Sequence, residues 1–103
     1  MPQRLARVQA LLQERPAEPW PLDTLAQVAG MAPHTLLRAF RTSTGMTPHA
    51  YQVDLRINRA RALLRAGDAP ADVAHALGFY DQSHFQTAFK QRVAATPGHF
   101  RRR

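Results

Sequence analysis

Apolar residues recur at intervals of three and four along the whole chain, which is the spacing of amphipathic helices. No stretch bounded by turn residues alternates apolar and polar residues as a strand would. The pattern therefore predicts an all-α protein. Prolines, glycines and capping residues divide the chain into seven helices. The first helix ends near residue 15, and the others are predicted over about 22–29, 33–44, 48–66, 71–77, 82–93 and 97–103.

Three of these helices have a clear start signal. Thr47-Pro48 and Thr96-Pro97 each combine a hydroxyl that can cap the first N–H groups with a proline suited to the first helical position. Asp81 is predicted to cap the helix that begins at residue 82 in the same way.

The second half of the chain repeats the first. The offset is 48 residues at first and becomes 49 after one inserted residue. Leu25-Ala26, Gly30-Met31, Phe40-Arg41, Gly45, Thr47-Pro48 and Tyr51 correspond to Val73-Ala74, Gly78-Phe79, Phe89-Lys90, Ala94, Thr96-Pro97 and Phe100. Each copy is a short helix, a turn containing glycine and a longer helix, which is the pattern of a helix-turn-helix unit. We expect positive φ angles at the two turn glycines, and close helix crossings at Ala26 and Ala74.

The length of the helix predicted between the two copies indicates how the two units could act together. About 19 residues at about 1.5 Å rise span roughly 28 Å, which approaches the roughly 34 Å of one turn of duplex DNA. A rod of that length could hold two recognition helices over successive major-groove segments. A monomer could then read two adjacent sites.

The charge of the chain indicates a polyanionic partner. Fourteen Lys and Arg residues against seven Asp and Glu residues give a net charge of +7, and 13 of the 14 basic residues are arginine. With 103 residues, 45% of them hydrophobic, the chain fits one compact domain. It has neither an apolar run long enough for a membrane helix nor a signal peptide, so we expect a soluble, intracellular protein.

Candidate chemistry for catalysis or metal binding is absent from the sequence. There is no cysteine, the carboxylates are scattered, and no phosphate-binding glycine loop or His-x-x-x-His pair occurs. We therefore expect no enzyme, no cofactor and no metal site. The alternative to DNA binding is a basic helical protein-interaction module, and it differs from a DNA-binding protein in that random duplex DNA would not bind it at low salt.

The segment DVAHALGFYDQSHFQTAFKQRVAATPGHFR, residues 72–101, resembles the signature of the AraC/XylS family of bacterial transcription regulators. RINRARALL, residues 56–64, is similar to the central helix of that family. The resemblance implies one DNA-binding domain over residues 1–103. Its parts would be a first helix-turn-helix over about 22–45, a linker helix over about 48–66, a second helix-turn-helix over about 71–93 and a final helix over about 97–103.

The resemblance also implies a function. The domain would bind double-stranded promoter DNA in the bacterial cytoplasm, as a sequence-specific regulator that activates by contacting RNA polymerase. Many members of the family carry a separate effector-binding or dimerisation domain. No such domain is present in this sequence, so we expect either a stand-alone regulator or, more in keeping with the fit, part of a longer protein.

By the same resemblance, the helices that start at Pro33 and Gln82 are the recognition helices. Residues near the start of such a helix reach base edges, and flanking cations hold phosphates. The candidates for the exposed face are His34, Leu37, Arg38, Gln82, Ser83, Gln86 and Thr87. Arg38 is the best candidate for a guanine contact, and Arg41 and Lys90 suit phosphates. The apolar residues of these helices, Leu36, Phe40, Phe85 and Phe89, are assigned to the core together with Phe100.

The chain departs from the family pattern at three positions. Ala32 replaces the usual serine cap of the first recognition helix, Ala94 replaces a glycine, and Thr87 stands where arginine is common. We therefore expect the first recognition helix to contribute more to base readout than the second.

Trp20 is expected to pack over the end of the first helix. The Arg101–Arg103 run is either a phosphate contact or a solvated tail.

Overall fold

A computed structural model describes residues 3–101, and these residues form seven helices and no strand. The helices are α1 (Gln3–Glu14), α2 (Leu22–Ala29), α3 (Pro33–Thr44), α4 (Pro48–Arg65), α5 (Pro70–Ala76), α6 (Gln82–Val93) and α7 (Pro97–Arg101). The predicted all-α class and order of helices are confirmed. The fifth helix begins one residue earlier than predicted, because Pro70 takes its first position. The last two residues of the predicted final helix, 102 and 103, lie outside the described residues.

The chain forms two compact units, and the boundary between Gln52 and Val53 falls inside α4. In the first unit α1 packs on α2 and α3, and α2 packs on α3. The apolar residues that predicted these helices form its core, with the side chains of Leu5, Val8, Leu12, Leu25, Leu36 and Phe40 all buried.

The proline-rich segment between α1 and α2 is held by two side chains. Gln52 is only 4% exposed, and its Nε2 donates to the carbonyl oxygens of Pro16, at 3.0 Å, and Glu18, at 2.7 Å. The indole Nε1 of Trp20 donates to the carbonyl oxygen of Arg15, at 2.8 Å. The expected position of Trp20 over the end of α1 is confirmed, and the hydrogen bonds explain how a segment without regular structure keeps one path.

The second unit has an aromatic core. Ring centroids are 5.1 Å apart for Phe79 and Phe85, 5.7 Å for Phe85 and Phe89, and 5.4 Å for Phe89 and Phe100. Apolar residues of α4 and α5 surround these rings and are buried with them. The assignment of the phenylalanines to the core is confirmed.

The turns of the two helix-turn-helix units have the same geometry. Gly30 and Gly78 adopt φ angles of 65° and 80°, a region that glycine enters without steric cost. The residue after each glycine donates its N–H to the carbonyl of the buried alanine, from Met31 to Ala26 at 3.0 Å and from Phe79 to Ala74 at 3.1 Å. The repeat seen in the sequence is therefore also a repeat in backbone structure.

Arg56 contacts the turn between α5 and α6, in the second helix-turn-helix unit. Its guanidinium lies 5.4 Å from the ring centre of Phe79, and its Nη1 donates to the carbonyl oxygen of Gly78 at 3.2 Å. Burial lowers the pKa of Arg56 from its ordinary value, because desolvation disfavours the charged form. A buried arginine therefore stabilises the turn that leads into α6.

The predicted helix caps are confirmed. Thr47 Oγ1 accepts from the N–H of Ala50 at 3.1 Å, Thr96 Oγ1 from His99 at 3.2 Å, and Asp81 Oδ1 from His84 at 2.7 Å. Ala32 precedes α3 in an extended conformation and supplies no side-chain cap. The start of α3 therefore lacks the side-chain hydrogen bond that α6 has.

Candidate nucleic-acid interface

The first candidate surface is the outer face of α3. Leu36 and Phe40 point into the core of the first unit, and the opposite side of the helix exposes His34, Arg38 and Arg41. Residues spaced by four and three positions share a helix face, so these three side chains form one exposed polar stripe. The helix begins with Pro33 at its first position and ends at Gly45, whose φ is 78°.

Leu37, also predicted on the exposed face, lies at its edge. At about 100° per residue, Leu37 falls between the buried Phe40 and the exposed Arg41 around the helix. Its side chain is half-buried. It lines an apolar recess of about 230 Å³ together with Trp20, Leu22, Leu25, Thr47, Pro48 and His49. Leu37 therefore borders the polar stripe and packs within the first unit.

The second candidate surface is the outer face of α6. Phe85 and Phe89 are fully buried, and Ala88 beside them is nearly so. All five candidates on this helix are exposed, as predicted: Gln82, Ser83, Gln86, Thr87 and Lys90. Four of these side chains are uncharged and can donate or accept hydrogen bonds, and the one cation, Lys90, lies toward the C-terminal end.

The cations on the two faces are free to bind an anion. The side chains of Arg38, Arg41 and Lys90 form no hydrogen bond or ion pair with any residue that the structure describes. Other arginines are engaged within the fold. Arg92 Nε lies 2.6 Å from Asp54 Oδ1, and Arg15 Nη1 lies 3.3 Å from Glu18 Oε1. Unpaired cations are thus present on both predicted recognition helices.

Arg101 makes a contact within the fold, which differs from both a phosphate contact and a solvated tail. Its guanidinium donates to the carbonyl oxygen of Gly67, from Nε at 2.8 Å and from Nη2 at 2.5 Å. The hydrogen bonds tie α7 to the turn after α4, so Arg101 acts in folding. Arg102 and Arg103 lie outside the described residues.

Charge is distributed unequally between the two units. The second unit holds nine of the fourteen Lys and Arg residues but only four of the seven Asp and Glu residues. The one arginine of its recognition helix, Arg92, is nevertheless paired with Asp54, whereas α3 exposes two unpaired arginines. The unequal contribution of the two helices to base readout stays a prediction.

Sequence reasoning missed Tyr80, which is the one large hydrophobic residue that is exposed in residues 3–101. It lies between the buried Phe79 and the capping Asp81. Its exposure could have been predicted because Tyr80 fits no position of the apolar pattern. An aromatic residue would otherwise be assigned to the core.

Residues 3–101 contain no group of three or more His, Cys, Asp or Glu side chains that could hold a metal ion. Among the helices of the same range, none combines the length and the apolar character needed to cross a membrane.

Comparison with known proteins gives the family. Residues 25–103 match the family model described as "Helix-turn-helix domain". The transcriptional activator RhaS of Enterobacter sp. (strain 638) is 36% identical over 99 residues, 95% of this chain and 36% of RhaS. The regulator MtrA of Neisseria gonorrhoeae is 30% identical over 100 residues, 96% of this chain and 33% of MtrA. The chain thus spans about a third of the length of these curated relatives.

Solved structures agree with this result. The DNA-binding domain of the global transcriptional factor AdpA, crystallised in complex with a target DNA, superposes with a TM-score of 0.91 at 29% identity and covers 98% of this chain and 92% of that one. An AraC-type DNA-binding domain protein from Chromobacterium violaceum gives a TM-score of 0.86 at 29% identity, with 96% and 89% covered. This chain therefore belongs to the helix-turn-helix domain family and, within it, to the AraC-type DNA-binding domains.

Proposed function

We propose that this chain binds double-stranded promoter DNA as the DNA-binding part of a bacterial transcription regulator. The observation that carries the proposal is that both helix-turn-helix units expose a polar face on their second helix, with unpaired cations there. An exposed helix of this kind fits the major groove, whose base edges present donors and acceptors.

The side chains divide into two roles. Arg38 lies in the N-terminal half of α3 and is assigned to base readout, because a guanidinium can donate two parallel hydrogen bonds to guanine. His34 and the four uncharged residues of α6 (Gln82, Ser83, Gln86, Thr87) are assigned to base edges. Arg41 and Lys90 occupy matching positions of the repeat and are assigned to phosphates.

The relatives support a proposal for the finer biological role. RhaS is named a transcriptional activator, and AdpA was crystallised with its target DNA. By analogy, we propose that the protein activates transcription in the bacterial cytoplasm by contacting RNA polymerase. Because the chain spans about a third of such relatives, the signal that controls activation would be received by a part outside this sequence.

Selection of bound sequences from a random duplex library tests the DNA-binding proposal. We expect two short enriched motifs, one for each unit. Affinity for random duplex should also fall steeply as salt rises, because bound cations release counterions from DNA. Absence of binding at low salt would refute the proposal and favour the basic protein-interaction module.

Two arginine variants separate base readout from phosphate binding on α3. Arg38→Ala should lose about 1 to 3 kcal/mol on the selected sequence and relax the preference at one base position. Arg41→Ala should weaken selected and random duplexes alike, and should lower the slope of log affinity against log salt by about 1. Arg4→Ala, which removes an exposed arginine from α1, is the matched control and should keep the wild-type preference. An equal loss on both duplexes for Arg38→Ala would contradict its base-reading role.

A further inference from the structure

Tyr80 is exposed to an extent that its surroundings do not explain. The side chain is 91% exposed, although it directly follows the buried Phe79 and directly precedes Asp81, the N-cap of α6. It forms no hydrogen bond or ring contact with the residues described here. In this position the tyrosine side chain gains neither apolar burial nor a hydroxyl hydrogen bond within the chain. This indicates that Tyr80 contacts a partner and does not act in folding.

The usual structural role of an aromatic residue before a helix cap is already filled. A hydrophobic residue in this position often packs against the fourth residue of the helix, which in α6 is Phe85. Here Phe79 covers Phe85, with ring centroids 5.1 Å apart, and Phe79 also contacts the ring of His84 at 5.7 Å. Removing the Tyr80 side chain should therefore leave α6 in place.

Tyr80 also lies at the inserted residue, where the offset of the repeat changes from 48 to 49. The first turn has only Ala32 between Met31 and the first residue of α3, whereas the second has Tyr80 and Asp81 between Phe79 and the first residue of α6. Asp81 takes the N-cap position that Ala32 has in the first unit, so Tyr80 is the extra residue, and the first unit has neither a capping carboxylate nor an exposed phenol here.

The charges along α6 leave its N-terminal end without an anchor for DNA. Lys90, the cation on its exposed face, lies eight residues from Gln82, which is about 12 Å along the helix axis. The helix N-terminus does not serve as an anion site, because the Asp81 carboxylate already accepts the N–H of His84 at 2.7 Å. Asp81 already places one negative charge at the start of α6. A neutral hydroxyl beside it can donate to a phosphate without adding a second negative charge that would repel the phosphate.

We propose that the phenolic hydroxyl of Tyr80 donates a hydrogen bond to a DNA backbone phosphate and thereby anchors the N-terminal end of α6. The inference rests on the proposed function, in which the start of α6 approaches the major groove. Tyrosine hydroxyls are among the groups that bind phosphate oxygens in protein–DNA complexes, and such contacts set the register of a recognition helix without reading sequence. Tyr80 is thus a positioning residue for the second unit.

The test uses fluorescence anisotropy with the full chain, a selected duplex and a random duplex. Tyr80→Phe removes only the hydroxyl and should weaken binding to both duplexes by about tenfold, the value of one hydrogen bond to a charged group. Tyr80→Ala should bind about as weakly as Tyr80→Phe. Tyr51→Phe is the matched control, because the other tyrosine hydroxyl accepts from Gln13 Nε2 at 2.7 Å within the first unit. Tyr51→Phe should keep wild-type affinity.

Replacement of single phosphates by uncharged methylphosphonates locates the contact. One substituted phosphate should weaken the wild type and leave Tyr80→Phe unchanged. Wild-type affinity of Tyr80→Phe, or a loss confined to the selected duplex, would overturn the phosphate assignment. Failure of the wild type to bind either duplex would instead refute the proposed function, so the two failures are distinguishable. Thermal unfolding of both Tyr80 variants should match the wild type, because the side chain is exposed.

Discussion

Ala94 offers a direct test of how backbone conformation contributes to the stability of this domain. It follows α6 and adopts φ 60° and ψ 26°, the left-handed conformation, and among residues 3–101 no other residue except glycine has a positive φ. Its N–H donates to the carbonyl of Lys90, as that of Gly45 donates to the carbonyl of Arg41 at the matching place after α3. Two chemically different residues thus perform the same helix-ending role in one chain.

The expected effect of Ala94→Gly follows from two opposing terms. A residue with a Cβ in the left-handed conformation costs about 1–2 kcal/mol, and glycine removes that cost. Glycine also gives the unfolded chain more conformational freedom, which opposes the gain by about 0.4–1 kcal/mol. The Ala94 side chain is exposed, so its loss removes little apolar burial. The net expectation is a gain of about 1 kcal/mol in the free energy of unfolding.

Gly45→Ala is the reverse change at the matching position. Gly45 has φ 78°, and a Cβ built there meets no heavy atom within 4 Å, so the substitution carries only the backbone cost. It should lower the free energy of unfolding by about 1 kcal/mol. Urea and thermal unfolding followed by circular dichroism measure both variants, and about 1 kcal/mol corresponds to a shift in Tm of about 4–8 °C for a domain of this size.

Gly45 lies in the first unit and Ala94 in the second. If the two units unfold together, both variants should therefore shift the same unfolding transition. If Ala94→Gly leaves the free energy of unfolding unchanged or lowers it while Gly45→Ala destabilises, left-handed strain at Ala94 does not limit stability. Our reasoning would then be refuted.

The remaining predictions concern side chains that satisfy backbone groups, and urea unfolding measures each of them. Asp81→Ala removes the cap of α6 and should lower the free energy of unfolding by about 1 kcal/mol, whereas Ala32→Ser adds the missing cap of α3 and should raise it by a similar amount. A serine without effect at residue 32 would mean that the start of α3 does not need a side-chain cap. Gln52→Ala removes the two hydrogen bonds that its amide donates to the carbonyls of Pro16 and Glu18 and should cost about 2 kcal/mol. A cost below about 0.5 kcal/mol would show that those carbonyls find other partners.

The features that could be predicted from the sequence are those that depend on neighbouring residues. A helix is defined by hydrogen bonds between residues four apart, so apolar periodicity, Thr47, Asp81 and the turn glycines located the seven helices to within about a residue or two. The buried faces followed from the same periodicity, and with them the exposed positions of Arg38 and Arg41 on α3. The repeat was visible because both copies use the same local signals.

The tertiary structure alone decided the positions where distant segments meet. Leu37 looked exposed on an isolated helix, but in the structure it is half-buried and lines a recess with Trp20 and Leu22 from an earlier segment. Gln52 and Arg101 were ordinary polar residues in the sequence until the fold placed their side chains beside carbonyls more than thirty residues away. Tyr80 is exposed because Phe79, and not Tyr80, occupies the space over Phe85. Periodicity gives the direction in which a side chain leaves its helix, and only packing determines what that side chain meets.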